Sequence, residues 1–498
     1  MKSYLRKSRL TLIILSVLII AVFLGQTVFA ASDEDNINLL YLEKTLELIR
    51  DQYGGEISDS ELVDGVVRGI MNSLDDYTTY YTREEKEAFI DSVSGVFGGI
   101  GISMEVSGDY IVVSKVLTAT PAERAGILQG DKIVEADGVS LVGATAEKAA
   151  SVIKGEVGTV VKIGVLRNGS NQIKYFEITR EVIKVNPVTF EIRNGIGYIK
   201  LDMFNENTNE YITKALEAID RNKITKIILD LRDNPGGEVG QATTLAQKFV
   251  PKGIITKLDF HSERYNDVVY YSYLEKPKYK LAVLVNGNTA SAAEIVAGAV
   301  QDTGAGKLVG TKTFGKAKFQ SLIPILSRDA FIKYINKGIL AVSAYDLQYR
   351  GIMPEEEDIA GYAKLTLGVY YTPKGRMIDG RGLTPDIVVE APKPVNNVNI
   401  NNIQKLTRTV DHALNGQGID VYNAEKLLKF MGYNITAVDN TLDKDTVEAL
   451  KSFQQKSGIK VSGILDMSTQ AVMNIELDKL IARHDIQYAA AVEALLGN

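Results

Sequence analysis

The run LAVLVNGNTASAAEIVAGAVQD, Leu281 to Asp302, passes from an apolar strand through a Gly/Asn turn into a helix, and Ser291 stands where the period changes. Ser291 followed by Glu294 has the spacing of a capping box, in which hydroxyl and carboxylate satisfy orphan amides of the first helical turn. A serine at the mouth of a helix after an apolar strand is equally where a hydrolase exposes a nucleophile. Both readings stand at this point, Ser291 as a helix cap alone or as an exposed nucleophile, with Glu294 supporting the helix start.

Two further segments share this build. KIILDLRDNPGGEVGQA, Lys226 to Ala242, bends sharply at Asn234-Pro-Gly-Gly237 after its strand. GTKTFGKAKFQSLIPI, Gly310 to Ile325, carries Lys312, Lys316, Lys318 and Gln320 at alternating positions that share one face of an extended strand. Strand-like and helical runs alternate from Val185 to Glu390, the pattern of an α/β core over 185–392. Loops that follow its strands are candidates for one active-site rim.

Composition limits the chemistry. The 498 residues call for several domains, and 45% hydrophobic with 24% charged residues is ordinary globular composition. A net charge of -6 argues against a nucleic-acid partner. The absence of cysteine removes thiol nucleophiles, disulfides and thiolate metal sites. His261, His412 and His484 are the only histidines, so a histidine base for Ser291 has few candidates and a zinc site fewer. Neither a metal nor a cofactor is expected.

A lysine can replace histidine as base if burial disfavours its ammonium form. Strand alternation leaves Lys312, Lys316 and Lys318 as equals. At the helix start the Ala292 amide points where an oxyanion would form, and an amide of Gly236 or Gly237 could be its partner.

The flanks read as separate modules. Lys2, Arg6, Lys7 and Arg9 precede the apolar run Leu10 to Gly25, and small residues follow at Val28-Phe-Ala-Ala31, so 1–31 reads as a signal peptide or an N-terminal membrane anchor. Either leaves the body exported, with membrane contact only through that segment. Amphipathic helices over 35–92 suggest a homodimer. A Pro/Asn-rich linker is expected over 393–423, a small helical domain over 424–474 and a long helix over 475–498.

FGGIGI, Phe97 to Ile102, precedes the alternating run ISMEV. Its glycines let successive amides converge as an anion nest, and a peptide could add as a strand between ISMEV and the helix TAEKAASVIKG. Together with PAERAG (Pro121 to Gly126), GDKI (Gly130 to Ile133) and VGTVVKIGVLRNG, the segment 95–183 resembles a PDZ domain. That resemblance implies capture of polypeptide C-termini by Gly98, Gly99, Ile100, Gly101 and Ile102, with Arg167 corresponding to an arginine that can sense the bound peptide. Residues 424–474 resemble the three-helix peptidoglycan-binding domain, with Asp439-Asn440 where that family usually has Asp-Gly; peptidoglycan is the partner it implies.

LDLRDNPGG, GNTASAAEI, TFGKAKFQ and YYTPKGRMIDGRGLTPDIVV (Tyr370 to Val389) together resemble the carboxyl-terminal processing proteases, serine endopeptidases with an inserted PDZ domain. The resemblance implies Ser291 as nucleophile, Lys316 as general base and Gln320 as the residue that orients the lysine, working through an acyl-enzyme. It spans roughly Leu39 to Pro392. Two departures stand out: Ala317 replaces a usual glycine after Lys316, and Ser327 to Ala363 is an insertion. The expected whole is an α/β multidomain chain of N-terminal helices, a β-rich PDZ domain, an α/β protease core and a small C-terminal helical domain.

Overall fold

The computed structural model describes residues 33–167, 172–391, 393–408 and 410–497. The signal or anchor segment 1–31 lies outside the described residues. The chain divides into two compact units, 1–80 with 323–363, and 81–322 with 364–498.

The first unit contains the helices Asp33–Gln52 and Asp59–Asn72, the second begun by a Ser58/Glu61 capping box. The insertion is no loose loop. Its helices Arg328–Ile335 and Ala344–Gln348 close over a small core of Leu326, Tyr334, Leu347 and Ile359. Lys333 and the Tyr334 hydroxyl both reach the buried Asp358, which fixes the return strand.

In the second unit, strands Ile102–Ser107, Tyr110–Val116, Lys132–Ala136, Val160–Leu166 and Ile173–Thr179 pair in that order, all antiparallel. The helix Ala146–Ile153, capped by Thr145, covers their core of Ile111, Ile133, Ile163 and Val165. Val96–Gly99 pairs with Glu181–Lys184 where the chain enters and leaves this domain.

The core sheet has the order Val188–Arg193, Ile196–Leu201, Lys226–Asp230, Lys280–Val285, Gly306–Gly310, Ile387–Val388. Only the first pair is antiparallel. Strands such as KIILD and LAVLV are buried on both faces and need cover on both. Helices Thr208–Arg221, Val239–Ala246 and Ala292–Thr303 cover one face, packing on Ile227, Leu229 and Val283. The other face holds Tyr198, Ile228, Ala282, Leu284 and Val309, and its cover is the last helix, Ile486–Leu496, through Ala491 and Leu495. The tail expected as one helix over 475–498 therefore breaks at Asp485, and its second half is a layer of the core.

The expected linker 393–423 is also corrected. Val398, Ile400, Ile403 and Leu406 are buried in one core with the helices Ile419–Phe430, Lys444–Lys456 and Met467–His484. Apolar residues spaced among the asparagines make this segment part of the module.

Candidate active site

Three parallel strands, Lys226–Asp230, Lys280–Val285 and Gly306–Gly310, release their following loops at the same edge of the sheet, where α/β folds place their sites. Polar side chains then tie the loops together. Asp233 Oδ1 accepts from Asn286 Nδ2 and Asn288 Nδ2, each at 2.9 Å. The Thr289 hydroxyl donates to the Leu231 carbonyl at 2.8 Å, and the Phe314 amide to the Thr289 carbonyl at 3.0 Å. Buried Asn234 donates to the Leu201 carbonyl at 2.8 Å, while its own carbonyl receives the Ala290 amide at 3.0 Å.

Ser291 stands immediately after this tie with φ +55° and ψ −120°. A non-glycine residue held there costs about 1–3 kcal/mol, so the surrounding bonds must impose the conformation. Gly236 explains part of the fit: a Cβ there would lie 2.8 Å from the Ser291 Cβ and 2.9 Å from the Ala292 nitrogen. Its own amide donates to Asn234 Oδ1 at 2.9 Å, so of the two glycines proposed to face an oxyanion, Gly236 is committed elsewhere. Among the described residues the Gly237 and Ala292 amides have no intramolecular acceptor.

The serine hydroxyl does not cap the helix. The Glu294 amide goes to the Ser291 carbonyl at 2.8 Å, and the Ser291 amide goes to Glu294 Oε2 at 3.0 Å. That carboxylate is fully buried and serves two loops. Oε2 also accepts the Lys316 amide at 2.8 Å, and Oε1 accepts the Gly315 amide at 2.8 Å and the Thr313 hydroxyl at 2.5 Å. Thr313 is itself oriented, since its oxygen accepts the Leu383 amide at 2.7 Å. Burial pushes the Glu294 carboxyl upward and the four donors pull against it, with a net rise.

Tyr370 closes the arrangement from the strand Ile359–Tyr371. Its hydroxyl lies 2.9 Å from the Ser291 carbonyl and 2.7 Å from the Lys316 carbonyl, and burial holds the phenol far above its ordinary range. Glu294 and Tyr370 thus bind the main chain of Ser291 to that of Lys316. From sequence, Glu294 is legible only at the helix start, and Tyr370 carries no signal beyond its place in the YYTP stretch.

The lysine-bearing segment differs from expectation. The strand begins at Lys318, so Lys312 and Lys316 lie in the preceding loop and do not share a strand face. Gly315, at φ +89°, packs against the 381–382 backbone, where a Cβ would meet the Gly382 nitrogen at 2.5 Å. Lys312 is exposed and Lys316 half-buried. Ala317 is fully buried and donates its amide to Asp379 at 2.9 Å, so the missing glycine leaves no strained residue. Gln320 donates to the Thr366 hydroxyl at 3.2 Å.

None of the three histidines lies in these loops, and among the described residues no cluster of potential ligands could hold a metal ion.

In the β-rich domain, Ile102–Ser107 pairs, among the described residues, only with Tyr110–Val116, which leaves its other edge open beside the helix Ala146–Ile153. Gly101, at φ +86°, makes the turn into that edge, with Gly98 and Gly99 ending the preceding strand and Ile100 buried beneath. Arg167, expected to sense a bound peptide, is held by acceptors of its own domain. It grips buried Asp131 with two bonds of 2.7 Å and donates to the Gly126 carbonyl at 2.9 Å.

Residues 195–358 match peptidase family S41, residues 98–174 the PDZ domain family and residues 417–473 the peptidoglycan binding domain family. The carboxy-terminal processing protease CtpA of Bacillus subtilis is 31% identical over 91% of this chain and 89% of its own. A carboxy-terminal-processing protease of Bartonella bacilliformis is 34% identical over 70% of this chain and 74% of its own. Among solved structures, a photosystem II D1 C-terminal processing protease is 24% identical over 69% of this chain and 86% of its own, with a TM-score of 0.38.

Proposed function

The chain belongs to the carboxy-terminal processing proteases of peptidase family S41, serine-type peptidases, and from that premise we propose how its own residues cut a peptide bond. Lys316, as general base, takes the proton of the Ser291 hydroxyl as the oxygen attacks the scissile carbonyl. The Ala292 and Gly237 amides receive the oxyanion, and Lys316 returns the proton to the leaving amine. Water, activated by the same lysine, then releases the acyl group. Gln320 is the residue proposed to orient Lys316. The observation that carries this reading is the buried Glu294 carboxylate, which ties the Ser291 amide and the Lys316 amide to one atom.

The PDZ domain delivers substrate. A polypeptide C-terminus placed at Gly98 to Ile102 would add as a strand to the open edge of Ile102–Ser107. The protein is proposed to be exported, as its basic and apolar start, its peptidoglycan-binding domain and its CtpA-type relatives suggest. No helix among the described residues is long and apolar enough to cross a membrane. Ile37, Leu39, Leu40 and Tyr41 stand exposed on the first helix and favour a homodimer, which sedimentation equilibrium checks. Retention on purified sacculi checks the wall contact.

The deciding experiment is proteolysis of an unstructured protein that ends in a free carboxylate. Ser291→Ala and Lys316→Ala should each lower kcat by at least about a thousandfold with little change in KM. An unaltered rate in Lys316→Ala would remove the dyad, and an inert unaltered protein would remove the peptidase mechanism.

A further inference from the structure

A cavity of about 240 Å³ opens at the far end of the peptide-binding edge, between the PDZ sheet and the C-terminal module. Its PDZ wall carries Glu105, Asp109 and Lys132, and its module wall carries His412, Gln417 and Asp420. None of its lining belongs to the catalytic loops. The two walls are tied at the rim, where Asn440 Nδ2 donates to the Ser107 hydroxyl at 3.1 Å.

Strand geometry says what would reach this cavity. Along Ile102–Ser107 the residues Ile102 and Met104 pack toward the domain core, so Ser103, Glu105 and Ser107 face the other way. A peptide added antiparallel to this edge, with its last residue opposite Ile102, places its third residue upstream opposite Glu105. Side chains in that alternate set point to the Glu105 face, away from the helix Ala146–Ile153.

The chemistry at that point is anionic. Half-buried Glu105 has no ion-pair or hydrogen-bond partner for its carboxylate among the described residues, and burial alone pushes its carboxyl upward. Lys132 is turned onto the Tyr110 ring, 4.8 Å from its centroid. His412 is held toward its neutral form by burial, against the pull of Asp420 and Asp411. An ammonium or guanidinium entering here would meet an uncompensated carboxylate.

We propose that the cavity is a composite specificity subsite that takes a lysine or arginine three residues upstream of a substrate's C-terminal residue, with one wall supplied by the peptidoglycan-binding module. The proposal rests on the PDZ capture of C-termini stated above.

The test uses the full chain carrying Ser291→Ala and fluorescent heptapeptides with a free C-terminus, bearing Lys, Ala or Glu at that position. Fluorescence anisotropy should give the Lys peptide about five- to tenfold tighter binding than the Glu peptide, a ratio that shrinks with salt. Glu105→Gln should bring the ratio close to one. Gln417→Lys, an exposed change made only on the module, should lower or reverse it. Peptides that bind equally whatever the residue, or a ratio that both substitutions leave unchanged, overturn the subsite. A ratio altered by Glu105→Gln alone overturns its composite nature. Peptides that bind no better than their C-terminal amides overturn the PDZ reading itself, and the subsite with it.

Discussion

Glu294 in the catalytic loops and Glu425 in the C-terminal module are two buried carboxylates employed alike for different ends. Glu294 accepts four donors from two loops. Glu425 accepts the Asp439 and Asn440 amides at 3.0 and 3.2 Å and the Thr446 hydroxyl at 3.1 Å. Each organises irregular backbone that no sheet or helix could satisfy. The difference lies in what is organised: Glu294 holds a strained serine against a lysine loop, whereas Glu425 holds a turn whose Asn440, at φ +72°, touches the PDZ domain. Buried acceptors are therefore a general means of shaping loops in this chain, and only the residues they carry make one of them catalytic.

Removing the first should do the most damage. Glu294→Ala strands several buried amides, and it should cost about 3 kcal/mol or more in stability and at least about a hundredfold in kcat. Denaturant melts and peptidase assays of the same preparation check both. A variant that loses stability but keeps kcat would reduce Glu294 to the same purely structural rank as Glu425.

The second should respond to pH and spare the chemistry. Burial pushes the Glu425 carboxyl up to about 7, so the folded module favours the protonated acid. A raised folded-state value contributes stability that is fully present below the ordinary glutamate range and lost as pH rises through about 7. Between pH 5 and 8.5 the module should lose up to about 3 kcal/mol, and Glu425→Gln should flatten that slope with kcat unchanged. Melting followed by hydrogen exchange within 395–484 reads the module by itself. An equally steep slope in Glu425→Gln would assign the pH response to another group.

What could be read from sequence follows the same division. LAVLVNGNTASAAEI announces its strand, turn and helix because the apolar period changes within one window, and the Gly-rich FGGIGI marks its turn in the same local way. Glu294 as a four-donor acceptor was out of reach, since its Thr313, Gly315 and Lys316 partners are brought to it only by folding. TKTFGKAK alternates like a strand, yet Gly315 is drawn against Gly382 and the strand starts later. Asparagines over 393–408 suggested a linker, while Val398, Ile400, Ile403 and Leu406 carried the opposite message. IQYAAAVEALL is apolar with no clear stripe; only the need of KIILD and LAVLV for cover on a second face could have pointed to its docking.

That docking links the two regions, and it yields the smallest expected effect. Asp485, which caps the last helix, grips Arg232 with bonds of 3.0 and 2.9 Å, and Arg232 directly precedes the Asp233 to Gly237 turn. Arg232 also holds buried Asp230, whose carboxylate receives the Tyr198 hydroxyl at 2.7 Å. If the last helix steadied the catalytic turn through this pair, loss of the Asp485 charge would lower kcat. The turn, however, has its own ties through Asn234 to Leu201 and through Asp233 to Asn286 and Asn288. Asp485→Asn keeps a helix cap and leaves Arg232 paired with Asp230, so it should cost about 2 kcal/mol in stability and change kcat by less than about threefold. A tenfold fall in kcat at unchanged KM would mean that the last helix belongs to the catalytic device as Glu294 does.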